Sequence, residues 1–168
     1  NALKKLSTDL INWIQEQLDD EHICTDKIRL LKSLSEVNDN TLLRIINYPP
    51  LETFNGSALR AAEHTDINLL TLIPFATSEG LQIKYGDSWI NIPCDEKYII
   101  VNTGDMLTEY SNHYFKSTIH RVVNPSESKN TSRLSTVFFL HPTDDTVLSE
   151  KYTAYSFKQE RFTEIGLS

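Results

Sequence analysis

The chain reads as a mainly β protein with flanking helices, its strands set for a sandwich or jelly roll rather than a parallel sheet. Three observations predict this. Near Thr41 the apolar spacing changes from every third or fourth residue to short runs, most of them rich in Ile, Val, Thr, Tyr or Phe. Turn signals containing Gly, Pro, Asn or Asp separate those runs. No helix-length amphipathic stretch intervenes, so the strands lack the crossover helices that parallel pairing needs. With 168 residues, 39% hydrophobic and 23% charged, the chain is long enough for one domain with its own core.

Leu3, Leu6, Leu10, Trp13, Ile14 and Leu18 recur at the spacing of one helix face, with Trp13 expected to anchor that helix on the sheet. A weaker helical stretch carries Ile28, Leu31, Leu34 and Val37. Asn38-Asp39-Asn40 ends it, because these side chains compete for the backbone's hydrogen bonds. Strands are expected over 42–47, 68–73, 81–84, 89–92, 98–102, 118–123 and 133–140. Gly86-Asp87 signals a hairpin. Pro74, Pro93, Pro125 and Pro142 are expected between strands, where no ladder bond is lost. Residues 153–165 return to helical composition and stop at Gly166. Residues 1–40 are thus expected as N-terminal helices packed on a core of residues 41–168, the whole forming one structural unit.

Sixteen Lys and Arg against 23 Asp and Glu give a net charge of −7, which disfavours a phosphate-backbone partner. A small acidic ligand remains compatible, since one buried Arg can pair with a carboxylate. No apolar run approaches the roughly 20 residues of a membrane span. The amphipathic, acid-bearing start does not read as a signal peptide, and the opening at Asn1 directly on a helical pattern suggests a processed or trimmed product. Cys24 and Cys94 lie far apart, as free thiols in a reducing cytoplasm would.

His64-Thr65-Asp66 is the first chemical signal. In a strand, residues two apart point the same way, so an imidazole and a carboxylate would share a face. These are two of the three ligands in the two-histidine, one-carboxylate set that holds non-haem Fe(II). A third ligand must come from elsewhere. His120, central in a strand-like run, reads either as that ligand or as a satisfied core histidine. Arg133 and Ser135 also share a face, ahead of the apolar run Val137-Phe138-Phe139-Leu140. An Arg entering a core strand needs an anion, either an acid of this protein or a bound carboxylate gripped by its planar fork. Trp89, Tyr85 and Tyr98 could line a pocket or pack across strands, and Asp144-Asp145 reads as a solvated turn.

His-x-Asp, a distal His and Arg-x-Ser, in that order, resemble the Fe(II)- and 2-oxoglutarate-dependent oxygenases, in their isopenicillin N synthase-like branch. The resemblance covers about Leu42 to Ile165. It includes Leu43-Arg44-Ile45-Ile46-Asn47-Tyr48-Pro49-Pro50, Gly80-Leu81-Gln82-Ile83, Asn102-Thr103-Gly104-Asp105-Met106-Leu107 and Lys116-Ser117-Thr118-Ile119-His120-Arg121-Val122. It implies a double-stranded β-helix (jelly-roll) core with His64, Asp66 and His120 as catalytic iron ligands. Arg133 and Ser135 would clamp the distal carboxylate of 2-oxoglutarate, and Tyr48 would help hold that cosubstrate. Ile46 stands where some relatives place Asn, and Asn112-His113 where Asn-Gly is usual, which makes His113 a rival distal ligand in a loop-like setting.

The implied activity is a dioxygenase that hydroxylates or desaturates a small molecule, consuming dioxygen and releasing succinate and CO2. Fe(II) and Arg133 would balance the charges of Asp66 and a dianionic 2-oxo acid. Relatives usually carry an α/β region ahead of the two helices, so part of the substrate pocket is expected upstream. Two alternatives accompany this reading. An oxidase of the isopenicillin N synthase type uses the same triad without 2-oxoglutarate, and a catalytically silent jelly-roll module would only bind.

Overall fold

A computed structural model describes residues 2–18, 40–52, 59–124 and 130–166. Its elements are α1 (Ala2–Gln17), β1 (Leu42–Tyr48), β2 (Ala61–His64), β3 (Leu70–Ala76), β4 (Leu81–Tyr85), β5 (Ser88–Asn91), β6 (Ile100–Thr103), α2 (Asp105–Tyr110), β7 (His120–Val122), β8 (Arg133–Leu140) and α3 (Ala154–Glu164). The strands form two antiparallel four-stranded sheets, ordered β1-β8-β3-β6 and β2-β7-β4-β5. Neighbours within each sheet come from distant parts of the chain, the connectivity of a jelly roll, as expected.

Strand parity divides the first sheet by chemistry. One parity of β3 and β8 supplies Leu70, Leu72, Phe138 and Leu140, which join Ile11, Met106, Leu107, Tyr110 and Phe157 in the hydrophobic core under the helices. The other parity supplies Thr71, Ile73, Arg133, Ser135, Val137 and Phe139, which line a cavity between the sheets. Each strand thus packs the core on one side and faces the cavity on the other.

The first helix lies where its periodicity puts it, but Trp13 does not anchor it: the ring is 59% exposed. The buried face centres on Ile11, with Leu18 one end of it. Trp13 follows Ile11 by two residues, roughly 200° around the helix. Gln15, on the buried side, donates from Nε2 to the Tyr110 hydroxyl at 3.0 Å and ties α1 to α2. The expected second helix over Ile28 to Val37, Cys24 and Pro125 lie outside the described residues.

The expected β4–β5 hairpin pairs Tyr85 with Ser88 across Gly86-Asp87, and Gly86 adopts φ +57°. Pro74 is not between strands: it lies within β3, at a break in the β3–β8 register between Leu72 and Phe75, where its missing N–H costs no regular ladder bond. Strand β2 and helix α2 were not expected from the sequence. The former is four residues with little apolar pattern, and the latter is six residues, too short to show a 3.6-residue period. Helix α3 begins with a capping box between Thr153 and Ser156, and the N–H of Gly166 (φ +75°) closes its last turn on the Thr163 carbonyl. Among the described residues, no helix is long and apolar enough to cross a membrane.

Candidate metal centre

His64 and His120 are 56 positions apart in sequence but directly opposite each other in the β2–β7 ladder. Cross-strand pairing therefore places their rings together, with centroids 4.3 Å apart. Strand β2 ends at His64, so parity alone does not place Asp66. The turn is instead held by the N-terminus of α2, where the Asp105 N–H donates to the Asp66 carbonyl at 2.7 Å. Gly104 permits this close approach, because a Cβ there would lie 2.1 Å from the Asn68 carbonyl oxygen.

His64, Asp66 and His120 each offer a ligand atom, all within 4.8 Å of one another. Nε2 of His64 is 3.9 Å from Asp66 Oδ1, and Nε2 of His120 is 3.9 Å from Oδ2. Nδ1 of His64 lies 2.8 Å from the Ala62 carbonyl and Nδ1 of His120 lies 2.9 Å from the Thr118 carbonyl. A carbonyl only accepts, so each Nδ1 is the donor and each Nε2 is left on the carboxylate's side to serve as a ligand atom. Two imidazole lone pairs and one carboxylate on a common side fit a divalent iron ion and leave its remaining positions open. His113 lies in the turn after α2, with φ +63°, and is not part of this group.

The same cavity, about 530 Å³, has Tyr48, Arg133 and Ser135 on its wall together with the triad. Register explains their meeting: Tyr48 is the cross-strand partner of Arg133, and Ile46 that of Ser135. Arg133 and Ser135 are both buried, and the guanidinium lies 5.6 Å from the Tyr48 ring centroid. Arg133 Nε donates to the Ser78 carbonyl at 2.9 Å. Among the described residues, no carboxylate forms an ion pair with Arg133. Burial pushes its pKa down from the ordinary arginine value, partly opposed by Tyr48, so the site favours an incoming anion.

Sequence reasoning missed several wall residues. Arg44, His141, Lys158 and Phe162 line the cavity beyond the triad. Burial drives the His141 pKa down to about 4. The parity of β1 could have exposed Arg44, which shares a strand face with Leu42, Ile46 and Tyr48; Lys158 and Phe162 come from a helix whose docking no local pattern encodes. Trp89 packs under the Arg121 guanidinium, 4.0 Å away, while Tyr85 and Tyr98 are exposed; none of the three lines this cavity. Asp144 accepts from Lys158 Nζ at 3.0 Å and from Asn40 Nδ2 at 2.8 Å, so the expected solvated turn is also a tether for α3.

Comparison with known proteins adds an independent line. Residues 40–142 match the family model of the 2OG-Fe(II) oxygenase superfamily. Gibberellin 2-beta-dioxygenase 1 of Arabidopsis thaliana is 30% identical over 152 residues, covering 84% of this chain and 45% of that protein. A crystal structure of a candidate oxygenase from Shewanella oneidensis superposes with a TM-score of 0.83 at 42% identity, covering 99% of this chain and 62% of the other. A full-length Neurospora crassa protein, solved in complex with alpha-KG (2-oxoglutarate), gives a TM-score of 0.63 at 32% identity over 73% of this chain and 44% of its own. The chain spans about half the length of the curated relatives it matches.

Proposed function

Because the chain belongs to the 2OG-Fe(II) oxygenase superfamily, we propose that His64, Asp66 and His120 hold Fe(II), that Arg133 and Ser135 grip the distal carboxylate of 2-oxoglutarate beside Tyr48, and that the protein oxidises a small molecule with dioxygen, releasing succinate and CO2. One observation carries this reading: a single cavity presents the triad and a buried arginine that lacks, among the described residues, any carboxylate partner. Solved relatives that hold alpha-KG support the cosubstrate.

Bound iron supplies the redox activation of dioxygen. The chain's own residues bind and orient. The two carbonyl-anchored imidazoles fix where the ion sits, and Arg133 with the Ser135 hydroxyl fixes how far from it the 2-oxo acid's carboxylate tail can lie. Phe139, Ile46 and Val137 give the wall between the two ends an apolar lining. Packing of α1 on the core supports a single structural unit in which the N-terminal region sits on the jelly roll. A cytoplasmic setting suits the free thiol of Cys94, and the net charge of −7 sets the surface against polyanionic partners.

Anaerobic titration with Fe(II), then 2-oxoglutarate, followed by visible absorbance, tests the assignment. A weak charge-transfer band that needs both additions and disappears in His120→Ala is the expected result. Iron binding without that band would move the chain to the 2-oxoglutarate-independent oxidases. No iron binding would overturn the metal centre.

A further inference from the structure

Two hydrogen bonds converge on one oxygen of Asp66. The Thr71 hydroxyl donates to Oδ2 at 2.6 Å, and the Asn102 amide donates to the same atom at 3.1 Å. Thr71 on β3 and Asn102 on β6 are cross-strand partners, so both donors reach the carboxylate side by side. The direction of the Thr71 proton is fixed as well. Asn68 Nδ2 donates to Thr71 Oγ1 at 2.8 Å, which occupies a lone pair of that oxygen and leaves its hydrogen for Asp66. Asn68 is itself held by its second amide hydrogen on the Leu70 carbonyl at 3.1 Å.

The centre is therefore framed by two cross-strand pairs, one from each sheet: His64 with His120, and Thr71 with Asn102. Asp66 lies between them, with the imidazoles equally near its two oxygens. By distance alone, either oxygen, or both together, could reach an ion. The donors break that symmetry.

We propose that Thr71 and Asn102 are positioning residues that make Asp66 a one-oxygen ligand, engaging Oδ2 so that Oδ1 alone faces the metal. This rests on the reading of the triad as a metal site. A carboxylate free to rotate would chelate through both oxygens and close a coordination position that the cosubstrate or dioxygen needs. The hydroxyl–carboxylate distance of 2.6 Å is that of a charge-assisted bond, strong enough to hold the group against rotation.

Titration of wild-type, Thr71→Val, Asn102→Ala and Thr71→Ser proteins with Mn(II), followed by water-proton relaxation, tests the proposal. Thr71→Val and Asn102→Ala should bind Mn(II) roughly 10- to 100-fold more weakly, the usual effect of losing a residue that orients a ligand. Their bound Mn(II) should carry fewer fast-exchanging waters, a change that a general loss of stability would not produce. Thr71→Ser keeps the hydroxyl and should restore both values. Asn102 is half-buried on the edge strand, so its variant keeps the fold should a valine at 71 disturb β3. Wild-type affinity and relaxation in both variants would overturn the proposal while leaving the metal centre standing. A wild-type protein that binds no Mn(II) and no Fe(II) would overturn the metal centre itself.

Discussion

Arg133 is the residue on which the electrostatics of the cavity turn. It is buried and held at Nε, and among the described residues no acid neutralises it. Arg133→Leu should therefore remove the main attraction for the 2-oxo acid while sparing the triad. A drop in 2-oxoglutarate affinity of about 100-fold or more, with Fe(II) affinity nearly unchanged, is expected in anaerobic titration. Equal 2-oxoglutarate affinity in the two proteins would place the anion elsewhere. Asp66→Ala should instead abolish iron-dependent turnover, assayed as succinate release. His141 makes a different prediction. Unfolded, an imidazole titrates near 6.5, whereas burial holds this one at about 4. Between those values the unfolded chain binds the extra proton, so stability falls as pH falls and the loss is complete below the folded pKa. On the metal-free protein, urea unfolding at pH 7.5 and 4.5 should show wild type losing about 2–3 kcal/mol more than His141→Gln. Equal losses would assign the acid sensitivity to other groups. Five of the six site residues expected from the sequence sit in short-range patterns (His-x-Asp, Arg-x-Ser, a histidine in an apolar run), whereas Tyr48 rests on the family resemblance alone. His141 follows Leu140 at the end of β8 and shares the cavity wall with Lys158 and Phe162 of α3, a helix expected from the sequence but whose docking no local pattern encodes.

At the scale of elements, boundaries follow the residues closely where a period has room to repeat. Helix α1 and strand β8 lie within about a residue of their expected limits, and the β4–β5 hairpin turns on its Gly-Asp pair. The failures share a cause. Helix α2 spans barely two turns and is selected by tertiary structure: its first N–H groups are taken by the carbonyls of Asp66, Ile67 and Asn68 rather than by a side-chain cap. Trp13 fits the apolar spacing yet stays exposed, because it lies roughly 200° around the helix from the buried Ile11. The fit between α2 and the turn after β2 makes Gly104 a sharp test. The Asn68 carbonyl that a Cβ would strike belongs to the backbone and cannot swing aside. Gly104→Ala should cost about 3 kcal/mol or more in urea unfolding, at the upper end for overpacking. It should also weaken Mn(II) binding, because the same turn carries Asp66. A variant as stable as wild type would mean that α2 and the turn separate freely.

For the whole molecule, the two sheets meet over a cavity, and the proposed ligands would bridge them. The histidines belong to β2 and β7 of one sheet, Arg133 and Ser135 to β8 of the other, and Asp66 lies on the connection from β2 to β3. A metal alone would bind one sheet and that connection, whereas metal with 2-oxoglutarate would span both. Ligands that bind only the folded chain raise its stability by mass action, by about 2.7 kcal/mol at a concentration 100 times the dissociation constant. For a chain of this length each kcal/mol is worth roughly 2–4 °C in Tm. Mn(II) and 2-oxoglutarate, each at such a concentration, should therefore raise Tm together by about 10–20 °C, roughly half from each, and EDTA should return it to the metal-free value. The increments should depend on each other: 2-oxoglutarate without metal should shift Tm little, because the arginine clamp holds only one end of it. In Arg133→Leu the metal increment should survive and the 2-oxoglutarate increment vanish, while His120→Ala should lose both. Full 2-oxoglutarate stabilisation of the metal-free protein would show that the anion is held by arginine alone, with no part for the triad in its binding.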